Sequence, residues 1–125
     1  DDQIVFGVRL PSIIASLNNP GDFPCGAIFT IQAKGQVINP RLINITTQAY
    51  MEFELTLQNG DTFIVDTTGE IPKASIKGKN KISSMTEESS VIKMPVGMSD
   101  LSYSAESGLN SMEVQIDISP LLLEV

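Results

Sequence analysis

Apolar and polar side chains alternate strictly from Met51 to Leu57. Successive side chains of a β-strand point to opposite faces, so this period of two sends one set into a core and the other into water. The tetrapeptide Gln58-Asn59-Gly60-Asp61 interrupts the alternation before a second β-rich run, and Asn-Gly in such a place is a strong turn signal. The stretch therefore predicts two half-buried strands joined by a tight turn.

The apolar pattern also predicts how the two runs pair. A three-residue loop, Gln58-Asn59-Gly60, would pair Leu55 with Phe63 and Phe53 with Val65, which gathers the apolar side chains on one face. We therefore predict a hairpin with Gly60 left-handed in a G1 bulge. The dipeptide Asn59-Gly60 also suits a two-residue type I′ turn, so this alternative stays open.

The rest of the chain consists of short β-like runs separated by turn residues every eight to twelve positions, which indicates an all-β antiparallel β-sandwich. Turns are predicted at Asn39-Pro40 and in residues 106–110, and at most one helical turn at 84–89. We expect a single sandwich domain over residues 12–125. Residues 1–11 are expected to be a linker or an edge strand from a preceding domain, in a fragment of a longer protein or a processed product. Further strands are predicted at residues 4–10, 12–17, 27–33, 36–38, 41–47, 73–77, 90–94, 98–105 and 112–118.

Charge and cysteine content limit the classes of partner that we expect. The net charge is −7 with the acidic residues scattered, so a phosphate backbone would be repelled and nucleic-acid binding is not expected. Anionic lipid surfaces are disfavoured for the same reason, and no apolar run has transmembrane length. The single cysteine, Cys25, allows no intrachain disulfide, which fits a reducing compartment. We expect it to be buried.

The residue types argue against an enzyme. Histidine is absent, which removes a Ser-His-Asp triad, a Cys-His pair and imidazole metal ligands together. Glu52 and Glu54 would lie about 7 Å apart on one strand face, a spacing a glycosidase could use, but alternation already explains them as a solvated face. Asp61, Asp66 and Glu70 do not form the Asp-x-Asn-x-Asp calcium loop. We predict no catalytic residue, no metal and no cofactor.

Sugar binding rests on few candidates. Tryptophan is absent, so Tyr50 and Tyr103 are the candidates for stacking on a sugar ring. A tyrosine on a strand is more often a packing aromatic with its hydroxyl in water. The five methionines fall mostly at inward positions, where gap filling in the core is the expected use.

Several turn and strand stretches form a familiar set when they are taken together in chain order. They are Asn18-Asn19-Pro20-Gly21-Asp22-Phe23-Pro24 before residues 27–33, Asn39 to Thr47, Asn59-Gly60-Asp61, Val65-Asp66-Thr67, Pro95-Val96-Gly97-Met98 and the strand at 112–118. In this order they resemble a known family, the C-terminal domain of the distal tail protein (Dit) of long-tailed siphophages and related prophages. The resemblance runs from about Ser12 onward. One departure is Met98, where the family often has Asn.

This resemblance implies a galectin-like, jelly-roll-like sandwich. It also implies an N-terminal domain, not among these residues, that forms a homo-hexameric ring joining the tail tube to the tip or baseplate. The expected partners are other tail proteins, including receptor-binding proteins, and the expected location is the virion tail tip after assembly in the bacterial cytoplasm. Galactoside binding is not implied, because the Trp platform and His-containing polar set of galectins are missing.

We therefore expect a structural phage or prophage tail component that acts as a docking module. It would present its loops, with Gly21 to Gly26 and Gly78 to Lys81 as candidates, and an edge strand to neighbouring proteins. The alternative is a carbohydrate-binding module that contacts the host cell surface.

Overall fold

Two antiparallel sheets account for nearly all the regular structure in a computed structural model that describes residues 2–6 and 14–121. Two 3₁₀ helices, Ile82–Ser84 and Leu109–Ser111, complete the described elements. The strands are β1 (Asp2–Phe6), β2 (Ile14–Asn19), β3 (Ala27–Ala33), β4 (Val37–Asn44), β5 (Ala49–Glu52), β6 (Thr56–Leu57), β7 (Thr62–Asp66), β8 (Lys73–Ile76), β9 (Lys79–Asn80), β10 (Gly97–Ser107) and β11 (Met112–Ile118).

One sheet has six strands in the order β1-β11-β3-β7-β8-β9. The other has the order β2-β10-β4-β5, with β6 also pairing with β4. The prediction of an all-β antiparallel sandwich is confirmed. The strand β1 pairs with β11 at one edge of the larger sheet. The predicted strand at 4–10 and its Pro11 lie partly outside the described residues, and the division of the chain at residue 11 stays a prediction.

The core lies between the sheets and follows the alternation read from the sequence. β11 alternates buried and half-buried side chains along its whole length, with Met112, Val114, Ile116 and Ile118 inward. In the opposite sheet, β10 contributes the buried side chain of Leu101 to the same core. Burial of such side chains is the main favourable term in folding.

The predicted hairpin between the two runs around Gly60 is wrong. Met51 and Leu57 belong to β5 and β6, which pair with β4, whereas β7 pairs with β3 and β8 in the other sheet. The chain therefore crosses from one sheet to the other at residues 58–61. Both placements bury the same alternate side chains, so the apolar pattern alone could not choose between them.

The aromatic rings show the consequence of that crossing. Phe53 and Phe63, both fully buried, meet edge to face with ring centroids 4.9 Å apart. Gly60 does have positive φ, at +94°. It lies third in the turn that the Asp61 N–H closes by donating to the Gln58 carbonyl. The turn thus links two layers rather than two neighbouring strands.

Asn39-Pro40 lies within β4 and is not the predicted turn. A proline in a central strand lacks one donor, and a bulge opposite it removes the need for that donor. The Pro40 carbonyl accepts from Phe53 N–H, while the Phe53 carbonyl accepts from Leu55 N–H instead of from a residue of β4. Asn39 N–H then donates to Leu55, so Glu54 is the extra residue and separates β5 from β6.

Three smaller predictions also need correction. The predicted helical turn at 84–89 is replaced by the 3₁₀ helix Ile82–Ser84, and the strand at 90–94 is reduced to a single bridge between Cys25 and Met94. Thr46 and Thr47 lie in a turn after β4 rather than in a strand. The methionines do lie mostly inward, as predicted, and Met98 is the exposed exception at 58%.

Residues 84–90, which start at the last residue of that 3₁₀ helix, cover the outer edge of β5 and of the bulge that follows it. Glu54 N–H donates to Ser84, Thr86 N–H donates to Glu52, and Ser90 N–H donates to Tyr50, all backbone to backbone. Exposed strand edges template unwanted pairing, and an irregular cover is one way proteins avoid it. Within residues 2–6 and 14–121, the strands left at sheet ends are β1, β9 and β2.

Candidate functional site

Glu52 is held in an ion pair on the outer face of the five-stranded sheet. It lies directly across from Arg41 in the β4–β5 ladder, and its carboxylate accepts from Arg41 Nε at 3.1 Å and Nη2 at 2.5 Å. Glu54, the bulged residue, is exposed beside the 83–88 segment. The two carboxylates therefore occupy different surroundings and line two different depressions, which does not suit a glycosidase pair.

The two tyrosines differ sharply in access. Tyr103 is 2% exposed and packs in the core, where burial first and then Glu113 raise the pKa of its phenol. Its ring has no open face on which a sugar could stack. Tyr50 is half-buried on the outer sheet face, but the Arg41 guanidinium carbon lies 4.5 Å from its ring centroid. That cation–π contact occupies one face of the ring.

The three carboxylates considered for a cation, Asp61, Asp66 and Glu70, are not grouped as metal ligands in the described residues. Asp61 closes its own turn by accepting from Gln58 N–H at 2.8 Å and lies 3.7 Å from Lys77 Nζ. Burial raises the pKa of Asp66, but hydrogen bonds from Thr68 and the charges of Lys73 and Lys93 outweigh it, so the net pKa is lowered. Among the described residues no group of three acidic, cysteine or histidine side chains could hold a metal ion.

Cys25 is buried, as predicted, at 4% exposure. Burial raises the pKa of its thiol, and the nearby Lys93 lowers it by a smaller amount. A thiol with a raised pKa carries little thiolate at neutral pH and is a poor nucleophile. Its backbone exchanges two hydrogen bonds with Met94. The Cys25 nitrogen lies 3.0 Å from the Met94 carbonyl oxygen, and the Met94 nitrogen lies 2.7 Å from the Cys25 carbonyl oxygen. This arrangement suits packing rather than chemistry.

The loop from Gly21 to Gly26 is pinned rather than free. The buried Asn19 side chain donates to the Phe23 and Met94 carbonyls and accepts from Gly21 N–H. At the other end a Cβ on Gly26 would lie 1.9 Å from the Thr67 carbonyl oxygen, so only glycine fits. A loop clamped at both ends presents a fixed surface and cannot close over a ligand.

The β8–β9 hairpin and its flanking residues carry a cluster of lysines. Lys77 and Gly78 both have positive φ, +52° and +77°, as a two-residue type I′ turn requires. Lys73, Lys77 and Lys79 are exposed and Lys81 is half-buried. Gly78 to Lys81 was predicted as a docking loop, but its positive charge was not, although lysines recur every second residue at positions 77, 79 and 81.

The surface depressions around these residues are open. One, of about 210 Å³, is lined by Asn39, Arg41, Glu52, Ser104 and Glu106 on the outer sheet face. A second, of about 390 Å³, runs beside the β8–β9 hairpin between Ile71 and Ile82. Open, shallow sites of this kind suit contact with a macromolecule better than enclosure of a reacting small molecule.

Comparisons with known proteins add one finding. A family model described as a siphovirus-type tail component, C-terminal domain, matches residues 20–117, which is most of the chain. No curated protein and no solved structure matches the chain significantly. Within the part of the chain that the structure describes, no helix has the length and apolar content needed to cross a membrane.

Proposed function

Because the chain belongs to the family of siphovirus-type tail components, as their C-terminal domain, we propose that it is the docking domain of a distal tail protein. The family makes it a structural, virion-associated protein that interacts with other phage tail proteins. The finer proposal places it at the tail tip or baseplate. There the full-length protein forms a homo-hexameric ring through another domain and joins the structure during assembly in the host cytoplasm.

The observation that carries the proposal is the family match over residues 20–117, on a sandwich that has a pinned loop and a covered strand edge. The loop at Gly21 is clamped by Asn19, and the β5 edge is covered by backbone hydrogen bonds from residues 84–90. A fixed outer surface lowers the ordering cost of association, since little side-chain or loop freedom is lost on binding. Such a domain works by holding neighbours in place rather than by turnover.

The test is purification of the full-length protein with its tail neighbours. We expect it to co-purify as a ring with other tail proteins bound, and gold-labelled antibody against this domain to decorate the distal end of the tail. Labelling along the whole tube, or absence of the protein from purified tails, would overturn the proposal. A variant lacking residues 20–117 serves as the antibody control.

A carbohydrate-binding module that contacts the host surface is the second candidate. The observation in its favour is the open depression that gathers the Arg41 guanidinium and the Glu52 and Glu106 carboxylates beside the half-buried Tyr50. Planar polar groups next to an aromatic ring can bind sugar hydroxyls. Titration with wall polysaccharide tests it: binding at millimolar affinity or tighter that Tyr50→Ala abolishes would support this role at this site. Equal binding by both proteins would refute the site, and no binding by the wild-type protein would refute the role.

A further inference from the structure

Positive charge is concentrated in one part of this acidic chain. Residues 71–86 hold four lysines and no acidic side chain, although the chain as a whole has 15 acidic and eight basic residues. Lys79 and Lys81 form no ion pair with any carboxylate in the described residues, whereas Lys77 lies 3.7 Å from Asp61 and Lys73 lies across the β7–β8 ladder from Asp66. The hairpin is thus a basic surface on which the charges of Lys79 and Lys81 are unpaired within the described part of the domain.

An apolar groove lies directly beside these lysines. Ile71 is 75% exposed, the most exposed large apolar side chain in the described residues. It lines an open groove of about 390 Å³ together with Ile82, and Pro72 and residues of the hairpin also contribute to the lining. The strand β9 ends its sheet at the same place. Cations, an apolar slot and a strand end therefore meet on one side of the molecule.

Lysines on an edge strand also have a simpler use, since they discourage unwanted pairing with other chains. That use accounts for Lys79 and Lys81 but not for Ile71, because a protective edge gains nothing from an exposed isoleucine. A polyanion such as a phosphate polymer would use the lysines and leave the isoleucine unused. A protein segment with acidic and apolar side chains uses both.

We propose that the β8–β9 hairpin and its groove bind an acidic segment of a neighbouring tail protein, with an apolar side chain of that segment seated between Ile71 and Ile82. The inference rests on the proposed docking function and names the docking surface and the chemistry of the partner. The lysines steer and orient the acidic segment, and the apolar contact sets how long it stays.

Zero-length cross-linking in purified tails tests this directly, since carbodiimide couples an amine only to a carboxylate in contact with it. We expect Lys79 or Lys81 to couple to Asp or Glu of a different tail protein. The control is Lys34, which lies 3.9 Å from Glu113 of its own domain and should couple only there. Coupling of the hairpin lysines solely within the domain or to a second copy of the chain, or no coupling, would overturn the inference but leave the docking function standing. Absence of the protein from tails would overturn both.

Variants separate the two parts of the surface. The double variant Lys79→Gln/Lys81→Gln should lower occupancy of the cross-linked neighbour in tails about threefold or more and weaken its salt dependence. Ile71→Ser should lower occupancy without changing the salt dependence, and Lys34→Gln should change neither. Melting temperatures verify that each variant is folded. Binding of poly(glycerol phosphate) by the full-length protein that the double variant loses and Ile71→Ser retains, with the neighbour unaffected, would overturn the protein partner in favour of a polyanion.

Discussion

Replacing Phe63 by Ala should remove a large share of the stability of this domain. The ring is fully buried in β7 and meets Phe53 of the opposite layer edge to face at 4.9 Å. Truncating a buried phenylalanine to alanine costs about 3–5 kcal/mol, against a total of roughly 5–15 kcal/mol for a typical domain. The matched control is Ile64→Ala on the outer face of the same strand, at 40% exposure, which should cost roughly 1 kcal/mol or less.

Urea unfolding followed by far-ultraviolet circular dichroism measures both costs, and a double-mutant cycle with Phe53→Ala measures the ring contact. The coupling energy should be about 0.5–1.5 kcal/mol, as for other edge-to-face pairs. If an alanine variant fails to fold, the corresponding Phe→Leu variants give a smaller cost with the same ranking. Equal costs for the Phe63 and Ile64 variants, or a coupling of zero, would refute the placement of these two rings in facing layers.

Four further outcomes follow from single positions. Asn19→Ala should cost about 1–3 kcal/mol in urea unfolding, because it removes the side-chain bonds to the Phe23 and Met94 carbonyls and leaves the buried Gly21 N–H without its acceptor; a loss under ~0.5 kcal/mol would contradict this. Gly26→Ala should lower the melting temperature more than Gly60→Ala, since the new Cβ meets the Thr67 carbonyl at 1.9 Å, whereas at Gly60 nothing lies within 4 Å and only the positive φ is strained; the reverse order would count against the close approach. The folded-state pKa of Asp66 is lowered, so its carboxylate stabilises the fold above the unfolded pKa of about 4 and that contribution disappears as the pH falls through the folded pKa. Urea midpoints should therefore show a gap between wild type and Asp66→Asn at neutral pH that shrinks at about pH 3, and a gap that widens on acidification would be inconsistent with the lowered pKa. Labelling of Cys25 by a thiol reagent should be at least about tenfold slower in buffer than in urea, because burial raises the pKa of the thiol and blocks access; equal rates would mean the thiol is open.

The strands that sequence reasoning located correctly are those whose pattern is local. β11 alternates without interruption from Met112 to Ile118, and period two is enough to fix both its type and its inward face. β3 was predicted with its observed limits, residues 27–33, because glycine and turn residues bound it.

Which strands pair with each other could not be predicted from local pattern in this way. The alternation around Gly60 is typical of a hairpin. In the structure, however, its two halves pair with strands elsewhere in the sequence: β6 pairs with β4, and β7 pairs with β3. Pro40 reads as a turn because a central strand needs its missing N–H, and the bulge at Glu54 that removes this need lies on another strand. Both misses depend on contacts far apart along the chain.

Only part of the candidate functional surface could be predicted from the sequence. Burial of Cys25 was expected from its type, whereas Tyr103 and Tyr50 could not be told apart until the sheet faces were known. The basic hairpin was hidden by the acidic composition, since a net charge of −7 averages over a local cluster of lysines. Counting charge along short windows would have found it.

Electron cryomicroscopy of tails from particles that carry this chain is the most direct test of its role. The docking account predicts density for the two-sheet sandwich at the distal end of the tail, repeated around the axis outside a ring, with the β8–β9 side against another protein. Sandwich density distributed along the tube, or tails with no density that fits this domain, would contradict it.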